Sequence, residues 1–135
     1  MKIRVVLAVD SQDVTHELQP LLDRQPGITL VGLSAYGRAA LEIARELVAD
    51  VMVMDIQMPH LCGMATIHEL REQLPHVKLV VFSFQSDIRY VKQHLRAGVS
   101  AYVLKDCVYE ELVEAIHIAA AGGQFVSPEI EIGIS

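Results

Sequence analysis

The run Val51-Met52-Val53-Met54-Asp55-Ile56-Gln57-Met58-Pro59 decides the fold. Four consecutive apolar residues predict a strand buried on both faces, as in parallel sheets. Pro59 has no N–H to give a ladder, so the strand ends before it. Asp55 is thereby placed at the carboxyl end of a central strand, on the rim where open α/β sheets bind their ligands. An isolated Asp at such a point more often caps or turns the chain, and only its neighbours can separate the two roles.

Working outward, similar apolar runs recur. Ile3 to Val9 reads as the first strand and breaks at Asp10-Ser11-Gln12-Asp13, a stretch of candidate helix caps. Val14, Leu18, Leu21 and Leu22 follow at helical spacing, and Pro26-Gly27 closes that helix. Ile28 to Leu33 predicts a second strand with Gly32 inside it; Gly37 marks a loop; Ala40, Leu41, Ala44, Leu47 and Val48 give a second helix its apolar face. Beyond Gly63, the residues Met64, Ile67, Leu70 and Leu74 form a third helical stripe, stopped by Pro75. Lys78 to Phe82 is a fourth strand leading to Ser83, Ile88, Val91 and Leu95 a fourth helix, and Gly98 its C-terminal cap. Ala101 to Leu104 is a short fifth strand ending at Lys105. Asp106 is a candidate cap for a last helix, whose first turns carry Glu110, Glu111 and Glu114 to complement its dipole. Five strands alternating with five helices predict an α/β fold, a doubly wound parallel sheet covered on both faces. The globular unit is expected to span 1–121, with 122–135 as a tail or the start of a linker.

Composition narrows the function classes. The chain has 135 residues, 52% of them hydrophobic, and no membrane-length apolar run. The start lacks a signal-peptide pattern, and Cys62 and Cys107 make neither a disulfide framework nor zinc spacing, which reads as a reduced, cytoplasmic protein. Eleven Lys and Arg against 17 Asp and Glu leave a net charge of −6 without a basic stripe, so nothing here is built to bind DNA or RNA.

Four polar residues therefore end strands along one rim: Asp10, Asp55, Ser83 and Lys105. Paired carboxylates repel and recruit a hard divalent cation, Mg²⁺ before others. A carboxylate is a competent nucleophile towards phosphorus, and a phosphoryl group in transfer needs its oxygens neutralised by metal and ammonium. Lys105 supplies a mobile point charge and Ser83 a hydrogen bond. Taken singly, the bland readings compete: Asp10 and Ser83 as caps, Lys105 as a solvated lysine, Tyr102 as an ordinary strand aromatic. Taken together at adjoining strand ends, they form a site.

Residues of these types, in this order, resemble the receiver domain of two-component response regulators over essentially the whole chain. Asp55 with Met58-Pro59 and Gly63 looks like the phosphoacceptor loop, Ser83 the hydroxyl position, and Tyr102-Val103-Leu104-Lys105 the strand of the switch aromatic and lysine. Arg96-Ala97-Gly98, Leu104-Lys105-Asp106 and the stretch from Ala121 to Glu129 look closest to receivers that precede a LuxR/NarL-type helix-turn-helix. The resemblance implies the flavodoxin-like strand order 2-1-3-4-5 and a sensor histidine kinase as phosphoryl donor. It implies Mg²⁺ held by Asp10, Asp55 and the Gln57 carbonyl, and a switch in which Ser83 moves inward and Tyr102 fills the space behind it. The face from the fourth to the fifth helix would then change shape, allowing a homodimer. Any DNA contact would belong to a domain beyond Ser135.

Three positions depart from that pattern. Val9 stands where the family usually carries the first of two acids, which should weaken Mg²⁺ binding. Phe84 stands where it often has a smaller residue, restricting access to Asp55. Asp106 replaces a common Pro after the lysine. Val9 and Phe84 motivate a rival reading, a receiver used as an interaction module without phosphorylation. A flavodoxin-like domain holding a nucleotide or cobalamin is a third class, but Asp10-Ser11-Gln12-Asp13 has no glycine to cradle a phosphate. His60 and Cys62 lack convergent partners for a metal. The other histidines are dispersed and need no special role.

Overall fold

The computed structural model describes residues 2–56 and 63–130. Gln57, Met58, Pro59, His60 and Cys62 lie outside the described residues, as do residues 131–135. The elements alternate: β1 (Ile3–Ala8), α1 (Gln12–Asp23), β2 (Ile28–Ser34), α2 (Gly37–Glu46), β3 (Val51–Asp55), α3 (Gly63–Gln73), β4 (Lys78–Ser83), α4 (Ile88–Arg96), β5 (Ala101–Leu104), a 3₁₀ turn (Lys105–Cys107), α5 (Val108–Ala120) and β6 (Phe125–Val126). All paired strands are parallel, in the order β2-β1-β3-β4-β5-β6. The five expected strands thus take the expected order, and a sixth joins at the edge.

The burial pattern follows from the sequence runs. Val5 to Ala8, Met52 to Met54 and Leu79 to Phe82 are fully buried, because helices cover both faces of these central strands. Edge strand β2 is only half-buried. There the pairing to β1 slips by one residue, with Val5 opposite Leu30 and Val6 opposite Gly32. A Cβ on Gly32 would stand 2.5 Å from Ile43 Cγ2, so glycine lets α2 close on the strand.

Several local expectations need correction. The first helix stops at Asp23, short of Pro26, and takes Pro20 into its interior. Gly37 opens α2 rather than marking a loop. Leu47 and Val48 lie past the end of α2 and are exposed, Val48 turning the chain at φ 52°. Asp106 does not cap α5: Cys107 holds that place without a side-chain bond, because a 3₁₀ turn comes first. Gly98 does close α4. Its φ of 104° sets a Schellman turn, with Val99 N bonding His94 O and Gly98 N bonding Leu95 O.

The stretch after Gly123 packs back against the sheet. Phe125 pairs with Ala101 and Val126 with Tyr102, so the outer edge of β5 is covered. Ser127 is fully buried and Ile130 is 2% exposed. The face between α4 and α5 therefore includes residues from beyond position 122.

Candidate phosphoacceptor site

Parallel strands share one carboxyl-terminal rim, and register sets which residues meet there. Asp55 is the last residue of β3 and lies opposite Phe82; Ser83 is the last of β4 and lies opposite Leu104; Lys105 follows at once. This brings Lys105 Nζ to 2.8 Å from Asp55 Oδ2 across 50 residues of sequence. The carboxylate is 3% exposed, and so is out of water. Burying two charges is costly unless they meet at bonding distance, as these do. Two rings flank the ammonium, Phe82 at 5.9 Å and Phe84 at 5.0 Å from their centroids. Phe82 is buried and Phe84 is 59% exposed, so Phe84 forms the outer wall.

Ser83 is fully buried, and its Oγ accepts a bond from Gln85 N at 3.0 Å. Tyr102 is also fully buried, and its hydroxyl donates to Gln85 O at 2.7 Å. The Tyr102 ring lies wholly in the interior. It packs edge-on against His94 at 5.8 Å and Tyr90 at 6.4 Å, on the inner face of α4. Gln85 went unnoticed in the sequence because it contributes through backbone atoms. His94, 2% exposed with Nδ1 2.9 Å from Tyr90 O, looked like one more dispersed histidine.

Burial pushes the Tyr102 hydroxyl up to about 12, aided by neighbouring Tyr90 and opposed by the Ser83 hydroxyl. The sign of the linked effect is fixed. Unfolded tyrosine loses its proton near pH ~10, before the folded one does, so the unfolded state binds fewer protons between about 10 and 12. Tyr102 therefore contributes stability fully below pH ~10 and loses it across that window, by roughly 2 kcal/mol. Tyr102→Phe should flatten the alkaline fall in urea midpoints. A smaller fall from Tyr109 should remain: that hydroxyl is also pushed up to about 12, first through its bond to Glu17, but it is 40% exposed.

Asp10 lies two residues past the end of β1, where Ala8 pairs with Met54, and is half-buried. Val9 is 6% exposed and contributes an apolar side chain where an acid was expected from the resemblance. Among the described residues, no three His, Cys, Asp or Glu converge on a common point. Among the described residues, the oxygen donors carried to this rim by β1 and β3 are the Asp10 and Asp55 carboxylates. Two carboxylates are a hard donor set that fits Mg²⁺, which takes one or two carboxylates and keeps several waters. No helix among the described residues is long and apolar enough to cross a membrane.

Comparison with known proteins points the same way as this geometry. The response regulator receiver domain family matches residues 5–117. The transcriptional regulatory protein DegU of Brevibacillus brevis is 32% identical over 129 residues, covering 96% of this chain and 55% of DegU. The nitrate/nitrite response regulator protein NarL of Escherichia coli K12 is 33% identical over 123 residues, covering 90% and 57%. The crystal structure of a LuxR-family two-component response regulator from Aurantimonas sp. SI85-9A1 superposes with a TM-score of 0.91 at 28% identity, covering 99% of this chain and 96% of that one. The chain thus spans a little over half the length of the curated relatives it matches.

Proposed function

Because the chain belongs to the response regulator receiver family, we propose that Asp55 accepts a phosphoryl group from a sensor histidine kinase and so switches the face bounded by α4, β5 and α5. The observation that carries this is the Lys105 ammonium at 2.8 Å from a carboxylate that is 3% exposed, at adjoining strand ends. An Asp55 oxygen attacks phosphorus, the P–N bond of the donor phosphohistidine breaks, and the imidazole leaves with the bonding pair and takes up a proton. Lys105 then turns from the carboxylate to a phosphoryl oxygen, and Ser83 offers its hydroxyl to another. Asp10 and Asp55, with the Gln57 carbonyl that the resemblance implies, would hold Mg²⁺, which when bound would supply charge neutralisation. The acyl phosphate carries about 1.5 to 2 negative charges, spread over phosphoryl oxygens, where the carboxylate carried one. Two packings that respond differently to that charge are what a switch requires.

Phe84 guards this corner. Its ring stands over the ammonium on the solvent side, so it hinders the water that would hydrolyse the acyl phosphate. Phe84→Ala should shorten the lifetime of phosphorylated Asp55 by about threefold to tenfold, on the scale of one lost cation–π contact and a newly opened path. A chase of the phosphorylated chain by intact mass would show it, and an unchanged lifetime would remove Phe84 from the account.

The output is transcriptional, through a DNA-binding segment outside this chain; the name of DegU, a transcriptional regulatory protein, and the 55% of its length that is covered support this. Kinase exchange of this kind is cytoplasmic, and a homodimer of the switched face would carry the signal. The test is titration with beryllofluoride and Mg²⁺ by NMR. The amides of Asp55, Ser83 and Lys105 should shift, and their silence would end the phosphoacceptor reading. One observation favours the alternative of a phosphorylation-independent interaction module: Tyr102 is already inside. That module predicts no Mg²⁺ binding at millimolar concentration.

A further inference from the structure

We propose that the segment from Phe125 to Ile130 is a clasp that couples the acceptor site to whatever follows it in the chain, with Ser127 as a positioning residue for Lys105; this rests on the phosphoacceptor reading above. Pairing between β5 and β6 ends at Tyr102 and Val126. The next backbone bond runs from Ser127 N to Tyr102 O at 3.0 Å. At Leu104 a side chain takes over from the ladder. Ser127 Oγ accepts the Leu104 N–H at 2.8 Å and donates its own proton to Glu111 Oε1 on α5. One fully buried hydroxyl thus joins the tail, α5 and the last residue of β5. Leu104 faces Ser83 across the ladder and precedes Lys105, so it stands between two groups that meet the phosphoryl oxygens.

A strand that merely covered an edge would not need this bond. Backbone pairing suffices for that, and it stops two residues earlier. The hydroxyl fixes the exact stretch from which Lys105 reaches Asp55. Coupling through it must be reciprocal: if charging Asp55 alters the clasp, opening the clasp alters the affinity of Asp55 for its charge by the same factor.

The test uses the full chain with beryllofluoride and Mg²⁺ as the probe. In the unaltered protein, the Leu104 and Ser127 amides should shift together with those of Asp55 and Lys105. In Ser127→Ala, hydrogen exchange at the Leu104 amide should rise at least about tenfold, as for a buried donor left without its acceptor. Beryllofluoride affinity should fall at least about threefold, by reciprocity. Glu111→Gln keeps an acceptor for the hydroxyl but drops the charge, and should move both readouts less in the same direction; it carries the test if Ser127→Ala does not fold. Fast exchange at Leu104 with unchanged affinity would overturn the proposal. So would still Leu104 and Ser127 amides beside shifting Asp55 and Lys105. Silence at Asp55 and Lys105 themselves would instead overturn the phosphoacceptor reading, and the clasp's role with it.

Discussion

Asp55→Asn will take up no phosphoryl group from a kinase or from acetyl phosphate, while the unaltered chain gains the mass of one. The amide nitrogen has no lone pair to offer phosphorus, and the remaining oxygen carries no charge, so the nucleophile is gone rather than weakened. The fold should tolerate the change. Asparagine matches the shape of aspartate in a site 3% exposed, and its carbonyl can still accept a bond from Lys105. The ammonium it leaves without a counter-charge is 19% exposed and can turn towards water. Stability should therefore change by only about 1 kcal/mol, the scale of one hydrogen bond losing its charge assistance. Intact mass reads the uptake and urea denaturation the stability. Full phosphoryl incorporation into the folded variant would move the acceptor elsewhere. If transcriptional output survived loss of uptake, the module without phosphorylation would be the better account.

The strands that position this site were legible because burial on both faces leaves an unbroken apolar run. That is true of Val51 to Met54 and of Leu79 to Phe82, both now at the centre of the sheet. Their polar terminators, Asp55 and Ser83, stood out against such runs for the same reason. Legibility failed where long-range pairing decides. Phe125-Val126 is too short to announce a strand, and it becomes one only because β5 offers an open edge. Helical spacing picked out Val91 and Leu95 on α4 but passed over His94, which is buried because Tyr102 supplies an aromatic wall opposite it. Asp106 had the right chemistry for a cap, yet the chain needs a 3₁₀ turn after β5, and the start of α5 moves to Val108. Gln85 binds both Ser83 and Tyr102 through its main chain, where residue type leaves no trace.

Lys105→Met separates the two tasks of the lysine, and its effects should have opposite signs. Methionine keeps an apolar stem against Phe82 and Phe84 while removing the ammonium. The variant leaves a buried carboxylate without the cation 2.8 Å away. Breaking a buried pair from this side costs more than breaking it from the other, because Asp55 cannot turn out to solvent as Lys105 can. In metal-free buffer, a loss of about 2 to 3 kcal/mol in urea unfolding is expected, discounted from the fully buried case because the lysine is partly exposed. Added Mg²⁺ should recover much of it, since a cation that binds only the folded state stabilises by mass action. The metal no longer competes with an ammonium for the same oxygens, so apparent Mg²⁺ affinity should rise several-fold over the unaltered chain. Phosphoryl uptake should nevertheless fall, by on the order of 10² in rate, because charge developing on the transferring oxygens has lost one preorganised donor. Tighter metal with slower transfer is the signature of a lysine that serves the phosphoryl group. If Mg²⁺ stabilised both chains equally and uptake were unchanged, Lys105 would be only the structural partner of a buried acid.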